Sequence, residues 1–117
     1  MSESSAGNAH LGDGGIAGAL KYDAGKPRMS LLPMNAITEV AKVMTFGAKK
    51  YAPNGWKSLE DTNRYVDALL RHIAALDMGE TLDPETGLPH IAHVACNALF
   101  LTHFHLEENN GQKKAPS

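Results

Sequence analysis

A chain of 117 residues is long enough for one domain with a modest core and little apolar area to spare. Its 11 basic and 13 acidic residues nearly cancel, which argues against a general nucleic-acid or membrane surface and confines any anion site to a local cluster. The single Cys96 excludes an internal disulfide, no apolar run approaches the roughly 18 residues of a bilayer span, and the N-terminus lacks a basic-then-apolar leader, so a soluble, cytoplasmic protein is expected.

Residues 1–19 are rich in Gly, Ser and Ala, with Gly-Asp-Gly-Gly at 12–15 and no periodicity, and are expected to form a flexible N-terminal segment. Order is expected from Leu20, giving one domain over 20–108 and a frayed tail over 109–117. Lys21-Tyr-Asp-Ala-Gly-Lys-Pro-Arg28 crowds three cations around a glycine turn and reads as a loop. After Pro33, a stripe of Ile37, Val40, Ala41, Met44, Gly47, Ala48 and Tyr51 predicts a helix over about 34–52, ended by Pro53-Asn54-Gly55. Ser58 with Asp61 resembles a capping box and predicts a second helix from near Leu59, with Tyr65, Val66, Leu69, Leu70, Ile73 and Leu76 inward and His72 on the flank. Gly79 stops it. An acidic turn, Glu80 to Gly87, then leads to Pro89, which suits the first position of a third helix ending near Glu108 before Asn109-Asn110-Gly111. No sustained period-two alternation argues for a sheet, so the fold class is all-α: a small bundle of three main helices whose core is completed by oligomerisation.

Stepping 100° per residue along the third helix puts His90, His93, Asn97, Phe100, Leu101 and Phe104 within one arc. Polar groups on such a face need partners. One reading is a metal site, with His90 and His93 joined by carboxylates from Asp67, Glu80, Asp83 or Glu85; the other is a pair of core histidines hydrogen-bonded to neighbouring groups. Lys21, Lys26 and Arg28 can bind phosphate, joined by Lys49, Lys50, Arg64 or Arg71, although the loop lacks the Walker pattern and a solvated turn is the alternative. Asn54 and Trp56 follow Tyr51, and the indole offers a face for a base unless it caps the core between two helices. His103 and His105 lie on different faces and read as surface or packing groups.

The segments K-Y-D-A-G-K-P-R, L-L-P, E-V-A-K-V-M-T-F-G-A-K-K-Y with Asn54 and Trp56, R-Y-V-D-A-L-L-R-H, and D-P-E-T-G-L-P-H-I-A-H-V-A-C-N-A-L-F-L resemble, in order, the phage dATP/dGTP diphosphohydrolase (MazZ-like) family, over about Leu20 to Leu106. That resemblance implies an all-α, MazG-like nucleoside triphosphate pyrophosphohydrolase dependent on a divalent metal, Mg²⁺ or Mn²⁺ with Zn²⁺ as a further option. Its substrate would be a purine deoxynucleoside triphosphate, dGTP and also dATP, cut to monophosphate and pyrophosphate in phages whose DNA carries 2-aminoadenine. A homo-oligomer, dimer or tetramer, is implied, with no membrane partner and no direct nucleic-acid binding. The predicted helices carry neither the E-x-x-E nor the E-x-x-D motif of the MazG pattern. His90 and His93 stand where the second pair would be, and imidazole ligands favour Mn²⁺ or Zn²⁺ over Mg²⁺.

The roles that follow place His90, His93, Glu80 and Asp83 around the metal, with Glu39 as a further ligand candidate. Asp67 and His72 are the catalytic candidates, His72 as acid or base. Lys21, Lys26, Arg28 and Arg71 would hold phosphate, and Trp56 with Asn54 would sense the base. Two rival readings remain at this point: a non-catalytic nucleotide- or metal-binding helical module, acting as sensor or partner subunit, and a structural subunit in which His90 and His93 are buried packing groups.

Overall fold

The computed structural model describes residues 24–58 and 61–114. They fall into two units divided between Leu32 and Pro33, inside the stretch read from sequence as a single domain. In the first, Gly25 takes φ +82°, the left-handed turn for which a glycine is suited, and a 3₁₀ turn follows at Met29–Leu31. Lys26 and Arg28 lie here, both exposed; Lys21 and the segment 1–19 lie outside the described residues.

The second unit is all-α. Its helices are α1 (Met34–Lys50), α2 (Asn63–Asp77) and α3 (His90–Lys114), with α3 packed against both others. Pro33 opens α1 by accepting from the amides of Ala36 and Ile37. The inward stripe of α1 holds for Ile37, Val40, Met44, Gly47 and Ala48, but Ala41 is exposed beside a groove and Tyr51 lies just past the helix end, also exposed.

The capping box does not form. Ser58 Oγ donates instead to the Gly55 carbonyl, within a 3₁₀ turn over Gly55–Ser58, and α2 starts four residues later than expected, where Asp61 Oδ1 accepts from the Asn63 amide. Trp56 in that turn stacks on Phe100 of α3 with ring centroids 4.3 Å apart, and Tyr65 Oη donates to the Trp56 carbonyl at 2.6 Å. The turn therefore ties the start of α2 to the middle of α3. At its far end α3 continues through Asn109-Asn110-Gly111 to Lys114; one interior glycine costs about 1 kcal/mol, too little to terminate a helix that nothing else interrupts.

The packed face of α2 is turned from the expected one. Tyr65, Ala68, Leu69, His72, Ala75 and Leu76 are half-buried, whereas Val66, Leu70 and Ile73 point outward. His72 thus sits within the helix interface rather than on its flank. The reason is α3, whose neighbouring face presents His90 and His93: the imidazole of His72 finds polar partners there that a leucine would deny them.

Candidate functional site

The link between α2 and α3 builds the site. Gly79, at φ +95°, ends α2 in a Schellman motif: its amide donates to the Leu76 carbonyl and the Glu80 amide to Ala75. This fixes Glu80 at the first residue beyond the turn. A single antiparallel bridge joins Leu82 to Pro89, and the His90 amide donates to the Thr81 carbonyl, so the chain folds back on itself before α3. Within that fold Asp83 Oδ2 accepts from the Thr86 amide at 2.9 Å and the Thr86 hydroxyl lies 3.1 Å away, while Gly87 turns the backbone at φ +73°. Pro89 serves as the residue before the helix rather than its first, accepting from Ala92 and His93.

Three histidines and two carboxylates converge at this junction. Ligand atoms of His72, Asp83 and His90 lie within 4.8 Å of one another. Glu80 Oε1 is 2.8 Å from His90 Nε2, which as an N–H donates to the carboxylate. A neutral His90 then carries its lone pair on Nδ1, facing His72 Nδ1 at 2.8 Å. His93 stacks on His72, centroids 4.3 Å apart and planes 11° from parallel, and its Nε2 is 2.8 Å from Thr86 Oγ1 and 3.9 Å from Asp83 Oδ2. His90 and His93 are 3% and 8% exposed. Asn97, buried beside them, donates to the His93 carbonyl, so its amide is turned back onto its own helix.

Electrostatics fit the arrangement to a cation. Burial pushes the His72 imidazole below its ordinary value, with repulsion from His93 adding to it. His93 is lowered by burial too, against the attraction of Asp83. For Asp83, burial raises the pKa, but the amide and hydroxyl of Thr86 and the nearby imidazoles outweigh it and hold the carboxyl below its usual value. At neutral pH the site is therefore an ionised carboxylate among imidazoles, two of them held neutral by burial. Two nitrogens and one oxygen make a donor set suited to a transition ion, and nitrogens 2.8 Å apart are close to the roughly 3 Å separating adjacent ligands that each lie about 2.1 Å from one ion. A Glu–His hydrogen bond behind a ligating imidazole is the usual orienting device. Cys96, next along the same helix, is pushed up to about 11 by burial and stays a neutral thiol.

The structure redistributes the roles expected from sequence. His90 and Asp83 occupy the cluster as anticipated, but His72 joins them in the donor set and His93 stands beside it. Glu80 contacts the back of His90 instead of the cluster's interior. Asp67 is exposed on α2, on a different face from His72, and Arg71 is also exposed. Glu39 pairs with Lys42 at 2.7 Å on the outside of α1. One face of Trp56 is occupied by Phe100, and Asn54 is an exposed turn residue at φ +61°. Thr86 was missed: a threonine three residues after an aspartate in a turn carries the spacing of a side-chain cap, and that was the available signal.

Residues 17–114 match the family described as dATP/dGTP diphosphohydrolase, N-terminal. Over 82 residues the chain is 38% identical to a protein of Salmonella phage PMBT28 named dATP/dGTP diphosphohydrolase, an alignment covering 70% of this chain and 28% of that protein. The chain thus spans 28% of the length of the curated relative it matches. No solved structure matches it.

Proposed function

The chain belongs to the dATP/dGTP diphosphohydrolase N-terminal family, and on that footing we propose that it hydrolyses purine deoxynucleoside triphosphates, dGTP and also dATP, to the monophosphate and pyrophosphate. The observation that carries the reading is the convergence of His72, Asp83 and His90 in a chain of this family. Those three residues would hold a divalent cation, Mn²⁺ or Zn²⁺ suiting two imidazoles better than Mg²⁺. Such an ion supplies neutralisation of phosphate oxygens and acidification of a bound water.

The chain's own groups account for the rest. Glu80 keeps the Nε2 proton of His90 and so aims its Nδ1 lone pair into the site. Thr86 occupies Asp83 Oδ2, leaving Oδ1 for the cation. His93, the imidazole outside the donor set and neutral through burial, takes the proton of the attacking water. The water oxygen bonds to the α-phosphorus as the α–β bridging bond breaks, and the bridging oxygen leaves with pyrophosphate. In a phage replacing adenine by 2-aminoadenine, the dGMP formed would feed the modified nucleotide and loss of dATP would keep adenine out of the DNA.

A second reading has its own support. The matched family is an N-terminal one and the chain spans 28% of its relative, which also fits a nucleotide- or metal-binding module whose catalytic partner lies elsewhere. Turnover separates the two. Incubating dGTP, dATP, dCTP and dTTP with Mg²⁺, Mn²⁺ or Zn²⁺ and resolving pyrophosphate from phosphate should show pyrophosphate released from dGTP. Asp83→Asn, folded as well as the parent, should lower the rate by at least about a hundredfold, the order of a lost charge-stabilising group. Nucleotide binding without turnover under any metal would leave the binding module.

A further inference from the structure

A groove of ≈ 380 Å³ runs along α1, formed by Thr38, Lys42, Thr45 and Lys49 on one side and by Thr86 and Leu88 on the other. The α1 residues recur at intervals of three to four, so they form one row on the helix, with Lys42 and Lys49 two turns or about 10 Å apart. The groove shares a wall with the cluster. Thr86 borders it and also meets His93 Nε2 and Asp83 Oδ2. Lys50, just outside, fastens the end of α1 to the same turn through Glu85 at 2.6 Å.

The charges in and around this groove are uneven. Glu85 is matched by Lys50, and Lys42 is held by Glu39 at 2.7 Å. Among the described residues no carboxylate pairs with Lys49. The walls otherwise offer hydroxyls and apolar surface and no carboxylate. The hydroxyls of Thr38 and Thr45 donate to the carbonyls of Met34 and Ala41, so the groove's donors are its ammoniums; one without a carboxylate partner among the described residues suits a multiply charged anion carrying many acceptor oxygens. Beside a cluster suited to a divalent cation, the chemical class it matches is a polyphosphate.

We propose that this groove seats the β- and γ-phosphates of the substrate, with Lys49 as the principal contact and Lys42, shared with Glu39, as the lesser one. The proposal rests on the triphosphate reading above and adds where the leaving pyrophosphate is held. It makes Lys49, in the sequence an adjunct to Lys21, Lys26 and Arg28, the principal phosphate contact. Lysine contacts there neutralise charge that grows on the leaving group as the bridging bond breaks.

The test uses the full chain and two ligands: dGTP for turnover and inorganic tripolyphosphate for equilibrium binding by calorimetry at low salt. Lys49→Gln should weaken tripolyphosphate binding by on the order of tenfold to a hundredfold and raise the dGTP KM similarly, Lys42→Gln should do less, and Lys49→Arg should restore most of the affinity. Both lysines are exposed on a helix, so folding is not at risk; circular dichroism checks it. A parent that turns over dGTP while Lys49→Gln leaves KM and tripolyphosphate affinity unchanged overturns the groove and spares the enzyme. A parent without turnover whose tripolyphosphate binding falls in Lys49→Gln does the reverse. A parent that binds no tripolyphosphate overturns the groove outright.

Discussion

At the level of single atoms, Thr86 donates to one carboxylate oxygen of Asp83, which keeps the group ionised in a half-buried place, and the other oxygen is the one the proposed cation would take. The imidazoles above it are neutral for the opposite reason, since burial penalises their charged forms. This has a consequence for stability in the absence of metal. His72 and His93 titrate below their ordinary 6.5 when folded, so the unfolded chain binds protons first as pH falls, and the native state loses stability from about pH 6.5 downward. Asp83 has the same sign lower down: its contribution is present above the ordinary 3.8 and is lost as pH falls through the depressed folded value. Thermal melts in chelator should therefore show a midpoint that drops between pH 7 and pH 5, and His93→Gln should flatten the drop. A midpoint that is flat across that range in the parent would contradict the burial of neutral imidazoles.

Among the elements, α1 was legible in sequence almost residue for residue, because an amphipathic helix against one neighbour obeys periodicity alone. The face of α2 was not. Apolarity alone selected Val66, Leu70 and Ile73, yet the helix turned them outward to bring His72 against α3, since a buried polar pair on α3 left without partners costs more than exposing a few methyl groups. Thr86 and Glu80 were equally hard to assign: their roles depend on the glycine turns at 79 and 87, which decide where each side chain points. The exposed Val66-Leu70-Ile73 row, with Leu70 56% accessible, is an apolar face that the self-association expected from the sequence would cover. Sedimentation should find the parent as a dimer or larger, and Leu70→Glu with Ile73→Glu should yield a helical monomer. A parent already monomeric at micromolar concentration would remove that expectation.

Across the whole molecule, no side chain among the described residues reaches full burial, and the buried apolar set is Val40, Ala92 and Cys96. His90, His93 and Asn97 are buried with them, as many polar residues as apolar. Enclosed polar groups need partners, and here His72, Glu80, Thr86 and the His93 carbonyl supply them. The chain's all-α class and its third helix were readable from spacing because both follow from local pattern. The donor set was only half readable, because His90 and Asp83 lie within eight residues of each other whereas His72 arrives from another helix. The proposed chemistry depends on whether His72, Asp83 and His90 bind a divalent ion. Titrating Mn²⁺ into chelator-treated protein, followed by electron paramagnetic resonance of the free ion, measures it most directly. One site per chain is expected, lost in His90→Ala while that variant keeps its helical spectrum. Absence of binding by the parent, or equal binding by the variant, would contradict it.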